Sequence, residues 1–476
     1  MVRADLSYLR VESGHHLEQK ARAFSAGTPT QQLSHVLARQ RPVAHPISSL
    51  PPELLSLVFL HCLPSCQQLS LSTAPLLLTR ICGGWRLIAL RTPELWSTVF
   101  LELFALPVDR FEPKLRMLEY WLARSAAHSL SLYFHVRQPI PDAVPLLTAH
   151  APRWRDVDLF LHRKTLAGFS SPDQQLPLLR RLSLACLPAS EDDPHPEHWV
   201  TAFGDAPALV EVSLRRLAPK HVVLPWAQLT TFSVQCNDPG DALRVLLLAP
   251  GLETFSLDLT RSAEPTSALA ELEPLVHDAL RSLTLAVHPA AAPALPTHAL
   301  LAPLTLPALR TLALPPLGPA DVTPLHAFFA RSASARTLTH LSAPLAPLAP
   351  HALVPLFAPL RALEDLALQY PTADAVLDLL AALHAAAEPA FLPCLHTLVL
   401  ECARGGVPYA ALLAGLQARS AAAPRRVVAL RAFELSVMAP TPHEAGADAA
   451  YLLPLQTLKA QGMKLLVSHV YQASVV

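Results

Sequence analysis

The chain has 476 residues, no net charge at pH 7 and 16% charged residues, where soluble proteins carry roughly 25%. That balance gives a nucleic acid or an anionic membrane surface nothing to hold, so neither is expected as a partner. Seven cysteines, an odd number scattered widely, make no disulfide framework.

The length suits two or three ordinary domains or one elongated array. The most apolar stretch, APLAPLAPHALVPLFAPL (residues 343–360), carries a proline every few positions and cannot hold a continuous membrane helix. No secretory apolar run follows Met1, so a reducing compartment, cytoplasmic or nuclear, is expected.

Residues 1–45 are polar and mixed in charge. Leu17 to Phe24 and Leu33 to Leu37 have the periodicity for a helical turn or two each, and the segment reads as a partly ordered arm.

Residues 46–100 read as a small helical domain. Ser48 or Ser49 is expected to cap a first helix, with Pro51-Pro52 in its opening turn, where a missing N–H costs nothing. Leu54, Val58 and Cys62 recur every fourth residue with Leu55 and Phe59 beside them, so one face is apolar. A second helix is predicted from Pro75, with Leu77, Ile81 and Trp85 on one stripe and Gly83-Gly84 loosening it. Thr92-Pro93 starts a further turn that carries Trp96. So short a segment buries little by itself, and its surplus of apolar residues needs cover from the rest of the chain or from another protein.

The order and spacing of Leu50-Pro51, Glu53-Leu54, Val58-Phe59, Leu63, Ile81-Cys82, Trp85-Arg86, Ile88-Ala89, Pro93 and Leu95-Trp96 resemble the F-box, in the F-box-like form of the large fungal families. Two features depart from the pattern. Residues Pro64 to Ala74 make a longer loop than the minimal one, and Gly83-Gly84 stands where a polar or basic pair is usual. The resemblance covers about an eighth of the chain. It implies docking on a Skp-type adaptor, and through it on a cullin scaffold, by Leu50, Pro51, Leu54, Val58, Phe59, Leu63, Ile81, Cys82 and Trp85.

Beyond it, Ser97 to Leu103 alternates as a strand with Val99, Leu101 and Leu103 on one side. Phe111 to Ser125 follows as a helix with Leu115, Leu118 and Leu122 on one face beside Trp121, and Leu130 to Phe134 as a second strand. From there a Leu-x-x-Leu-x-Leu core recurs about every 20 to 35 residues, a solenoid-like period. Clear copies are LLRRLSL (178–184), ALVEVSL (208–214), QLTTFSV (228–234), GLETFSL (251–257), ALRSLTL (279–285), ALRTLAL (308–314), ALEDLAL (362–368) and CLHTLVL (394–400). RWRDVDL (153–159), TLTHLSA (337–343) and ALRAFEL (429–435) are weaker ones.

In an extended segment the fourth and sixth positions of the core point the same way, so both bury while the residue between them faces out. A single unit cannot hide its apolar side, so the units stack and their strands form one parallel sheet. Helical stretches such as Ala375 to Ala386 cover the back. The pattern resembles an irregular leucine-rich-repeat array, which with the N-terminal segment makes the expected class α/β: a small helical domain, then over 101–476 a repeat solenoid with a curved parallel sheet. The Asn that bonds the turn in regular repeats is missing, so uneven turns are expected.

The outward residues are Ser183, Ser213, Ser233, Ser256, Thr284, Ala313, Ser342, Ala367 and Val399, flanked among others by Arg181, Glu211, Arg215, Gln235 and Asp258. This small, nearly neutral surface lacks the clustered arginines of a phosphate reader. Arg181, Ser183, Ser213, Arg215, Ser233, Ser256 and Thr284 are the candidate contacts to a target protein.

No Gly-rich phosphate loop, G-x-S-x-G elbow or H-E-x-x-H motif is present, so no catalytic residue is assigned. His61, Cys62 and Cys66, and the loop group Asp192, Asp193, His195 and His198, are better explained as core or solvated loop than as metal ligands. No metal or cofactor is expected. The reading is a target-holding subunit of an SCF-type (Skp–cullin–F-box) ubiquitin ligase. The alternative is a non-ligase scaffold whose F-box-like helices cap the array.

Overall fold

The computed structural model describes residues 46–64, 70–104, 110–171, 174–187, 199–260, 273–287, 297–345, 352–384, 390–403, 409–420, 428–439 and 449–471. The N-terminal arm, Cys66 and the group Asp192 to His198 lie outside them.

The first helix, α1 (Pro52–His61), starts at Pro51, and no side chain caps it. The expected serine cap is not made, because Pro46–Ser49 forms a separate 3-10 turn. The predicted second helix is broken. A 3-10 turn spans Leu78–Arg80, Cys82 is extended (φ −154°, ψ 170°), and α2 (Gly83–Arg91) begins after it. The Cys82 Sγ accepts the Trp85 N–H at 3.4 Å, so Cys82 takes the N-cap place. The glycines therefore open a helix rather than loosen one. The Arg86 Nε donates to the Thr79 carbonyl at 2.6 Å and ties the two pieces together. Pro93–Trp96 forms the expected turn.

Strand β1 (Thr98–Glu102), helix α3 (Phe111–Arg124) and strand β2 (Leu130–His135) follow as the alternation and periodicity predict. Val99, Leu101 and Leu103 are buried beneath β1, and Leu118, Trp121 and Leu122 beneath α3.

Each of the eleven repeat copies then delivers one strand: β3 (Trp154–His162), β4 (Arg181–Leu187), β5 (Glu211–Arg215), β6 (Thr231–Cys236), β7 (Thr254–Leu259), β9 (Ser282–Val287), β11 (Thr311–Ala313), β12 (His340–Pro344), β13 (Asp365–Gln369), β14 (Thr397–Ala403) and β15 (Ala432–Ala439). A final strand, β16 (Lys464–Tyr471), was not foreseen; Gly462 and Met463 stand where the motif's opening Leu-x would be. These strands join β1 and β2 in one parallel sheet of 14 strands in chain order. Two further short strands, β8 (Leu275–Val276) and β10 (Leu304–Thr305), pair separately and fall between copies of the motif.

The motif's first, fourth and sixth positions are buried in every copy, as in Leu179, Leu182 and Leu184, or Leu252, Phe255 and Leu257. Register stacks like on like. Phe232 pairs with Phe255 across β6 and β7, their rings 6.1 Å apart and 8° from parallel. The step from one unit to the next is held by the backbone. The Arg180 carbonyl accepts the N–H groups of Val210 and Glu211, Val210 those of Thr230 and Thr231, and Thr230 those of Glu253 and Thr254. The same double acceptance continues to His396, which takes Arg431 and Ala432. It satisfies groups that would otherwise be orphaned at each turn, without the missing Asn.

The connections are uneven, as expected. Some are helices, such as Pro239–Leu248, Ala373–His384 and Tyr409–Ser420. The connection from β5 to β6 instead holds two 3-10 turns, Pro219–His221 and Trp226–Gln228. Among the described residues no helix is long and apolar enough to cross a membrane.

Candidate interaction surfaces

The helical segment divides the residues of α1 by face. Leu55 and Phe59 point inward and are buried, with the Phe59 ring 4.9 Å from that of Trp85 on α2. Leu54 and Val58, one turn apart, point outward, with Leu54 48% exposed, and Leu50, just before the helix, is exposed as well. Ile81, in the break before α2, is 53% exposed, and Pro51 and Cys82 are exposed too. Leu63 and Trp85 are half-buried against the core.

Of the nine residues assigned to adaptor docking, Phe59 alone is sealed inside the chain. Its place next to Val58 in the sequence hid the fact that one residue's step turns the side chain by roughly 100° around the helix, from solvent to the interior. Sequence reasoning passed over Leu57 and Leu87 and left Leu77 out of the docking set, although all three are large, apolar and exposed.

The outward face of the sheet forms a second surface. Ser183, Ser213, Ser233, Ser256 and Thr284 stand in one row across β4, β5, β6, β7 and β9, in direct register. Ala313, Ser342, Ala367 and Val399 extend it. The structure thus brings the candidate target contacts together.

Two of those contacts are already engaged. The Arg181 Nε donates to the Asp156 Oδ1 at 2.7 Å, and the Ser131 hydroxyl donates to the other Asp156 oxygen at 3.1 Å. The Arg215 Nη2 lies 3.1 Å from the Asp158 Oδ1 and 3.4 Å from the Ser183 hydroxyl. The His135 Nε2 approaches the same Asp158 oxygen at 3.4 Å, a long contact. Both arginines are therefore neutralised by acids one or two strands away.

Burial by itself would raise the carboxyls of Asp156 and Asp158. Arg181 and Ser131 outweigh it at Asp156, and His135, Arg215 and Ser183 at Asp158, so both sit below the usual carboxylate range. A group whose folded pKa is depressed stabilises fully above its unfolded pKa, about 3.9 for Asp. That contribution is lost as pH falls through the folded value. Urea midpoints measured from neutral pH into acid should therefore fall steeply below about pH 4. The Asp156→Asn, Asp158→Asn variant should be less stable at neutral pH and show a shallower acid slope. An unchanged slope would refute the pairing.

A ring cluster lies at the β1 end of the same face. Phe100 contacts Tyr133 at 6.0 Å and His135 at 5.6 Å between centroids. Phe104 meets Phe160 edge-on at 5.2 Å and stacks on His135 at 6.1 Å. Register sets Phe100 of β1 directly opposite Tyr133 of β2.

Cys186, Cys236 and Cys402 are buried, and burial pushes their thiols up to about 11, 12 and 11, so they are inert at neutral pH. Among the described residues no three His, Cys, Asp or Glu side chains gather in a way that would hold a metal ion. No protein-family model matches the chain, and no curated protein is recognisably similar to it. What the geometry defines is a mixed α/β protein with a long parallel sheet and two exposed surfaces, one apolar on short helices and one polar with an aromatic end on strands.

Proposed function

We propose that this chain is a target-holding subunit of an SCF-type ubiquitin ligase. The segment over 46–100 acts as an F-box on a Skp-type adaptor and through it on a cullin, and the remainder is an irregular leucine-rich-repeat solenoid that holds a target protein. The observation that carries the reading is the outward pair Leu54 and Val58 on α1, joined by Leu50 just before it and by Ile81, left in solvent while Leu55 and Phe59 of the same helix are buried. Exposed large apolar residues gathered on one short segment mark a surface that another polypeptide covers. In this reading the chain makes and breaks no bonds. It contributes proximity, raising the concentration of target near the ligase's catalytic partner.

A second reading has its own observation. Leu95 and Trp96 are fully buried next to β1, so part of the helical segment closes the end of the sheet. A scaffold that uses these helices only as a cap would bind no adaptor. Co-purification of the full chain with a Skp-type adaptor separates the two readings. Each apolar anchor lost at such a contact removes roughly 1.5–3 kcal/mol, so Pro51→Ala with Leu54→Ala should abolish capture. Normal capture by that double variant would overturn the site, and no capture by the wild type would overturn the function.

A further inference from the structure

We propose that the ring cluster on β1, β2 and β3 is the anchor point of the target-holding face. Its occupant is a polypeptide segment that sets an aromatic or proline side chain on Phe100 and Tyr133 and an acidic residue against Arg137. The inference deepens the reading of the outward face as a surface for a protein target.

The placement of the rings is the first argument. In the middle outward row, Phe100 and Tyr133 occupy on β1 and β2 the position that Ser183, Ser213, Ser233, Ser256 and Thr284 hold on later strands. These rings are not needed to complete the core. On the opposite face of the same strands, Val99, Leu101, Leu132, Phe134, Val157 and Leu159 already fill the interior. Phe100, Phe104, Tyr133 and Phe160 remain half-buried, with part of each ring facing solvent. Rigid aromatic rings beside an arginine are the usual composition of binding hot spots, because they give large contact area at small entropic cost.

Charge selects the occupant. Asp156 is matched by Arg181, and Asp158 by Arg215 and His135, so the strip beside the rings is internally balanced. Arg137 differs. Its guanidinium lies over the Phe104 ring, 4.8 Å from the centroid, and it forms no ion pair among the described residues. A carboxylate on the partner would complement it at the edge of the ring platform. The serine row beyond gives an extended backbone a floor without bulk and with hydroxyls to bond. A nucleic acid would also stack on rings, but it needs several free cations along its backbone, and here Arg181 and Arg215 are spent on acids.

The test selects a displayed random dodecapeptide library on the immobilised full chain and measures the enriched peptides as synthetic ligands. Enriched sequences should carry Phe, Tyr, Trp or Pro next to Asp or Glu. Tyr133→Ser should weaken them at least about tenfold with little change in melting temperature, since the ring is half-exposed. Arg137→Glu should weaken them and then recover binding to a peptide whose acid is replaced by Lys, a rescue that misfolding cannot produce. The proposal is overturned if no peptide is enriched, if enriched peptides lack that pairing, if Tyr133→Ser binds them normally, or if single-stranded oligothymidine binds more tightly. Adaptor capture measured on the same preparations reports on the helical segment alone, so the two readings fail separately.

Discussion

Leu54→Ala and Phe59→Ala are expected to fail in opposite ways, although both residues lie on α1. Leu54 is 48% exposed and Phe59 not at all. Truncating Leu54 removes few internal contacts, so the melting temperature should barely move, as for most surface changes, within about 0.5 kcal/mol. The loss should appear in adaptor capture, about 1.5–3 kcal/mol weaker, or roughly 10- to 150-fold. Phe59→Ala empties a site packed against the Trp85 ring at 4.9 Å, and such cavities cost about 3–5 kcal/mol. Because so small a segment has little stability to spare, α1 and α2 should lose their fixed packing, and capture should be lost with them. Thermal melts beside adaptor pull-downs give the two profiles. If Leu54→Ala lowers the melting temperature as far as Phe59→Ala does, the outward pair is interior and the docking surface does not exist.

That contrast marks where the sequence was legible. A period of two fixes which side of a strand is apolar, and a Leu-x-x-Leu-x-Leu core repeats that statement for each copy. The burial of Leu179, Leu182 and Leu184, and of their counterparts down the chain, was therefore readable, and so was a parallel sheet in chain order. The outward residues were readable as a row for the same reason. What they do to each other was not. Arg181 finds Asp156 25 positions away, and Arg215 reaches Asp158 57 positions away across an intervening strand. Both pairs depend on the register of β3, β4 and β5, and the contact of Ser131 with Asp156 depends on the bulge between Leu130 and Ser131 that shifts β2 against β3 by a residue. The helical segment was harder. Its apolar spacing permits a helix running through Ile81 and Trp85, but an extended Cys82 with two glycines after it starts a new one. Phe59 was assigned to the adaptor because a resemblance transfers residue types, whereas burial follows from what the rest of this chain packs against them.

Trp96→Ala is the second substitution with a large expected effect, and it decides how the two parts of the molecule depend on each other. Trp96 is fully buried between them. Its indole Nε1 donates to the Ala89 carbonyl on α2 at 2.9 Å, and its ring meets that of Trp121 on α3 edge-on, 5.0 Å between centroids. One side chain thus joins the N-terminal helices to the helix behind the first strand. Truncation to Ala should cost about 3–5 kcal/mol. Trp96→Phe, which keeps most of the packing and loses the indole donor, should cost less, with about 1 kcal/mol from the hydrogen bond. Urea midpoints would give both values, and hydrogen exchange would locate them. Amides of α2 and β1 should lose protection together in Trp96→Ala while β6 and β7, held by the Phe232–Phe255 stack, keep theirs. A loss spread evenly over every strand would mean that the sheet and the helices unfold as one unit and that Trp96 is no joint. If the loss is local, adaptor capture by Trp96→Ala tests what docking owes to this joint. Because α2 carries Trp85, the partner of Phe59, loosening it should weaken capture in Trp96→Ala while the later strands stay folded, and unchanged capture would mean that docking does not depend on this joint.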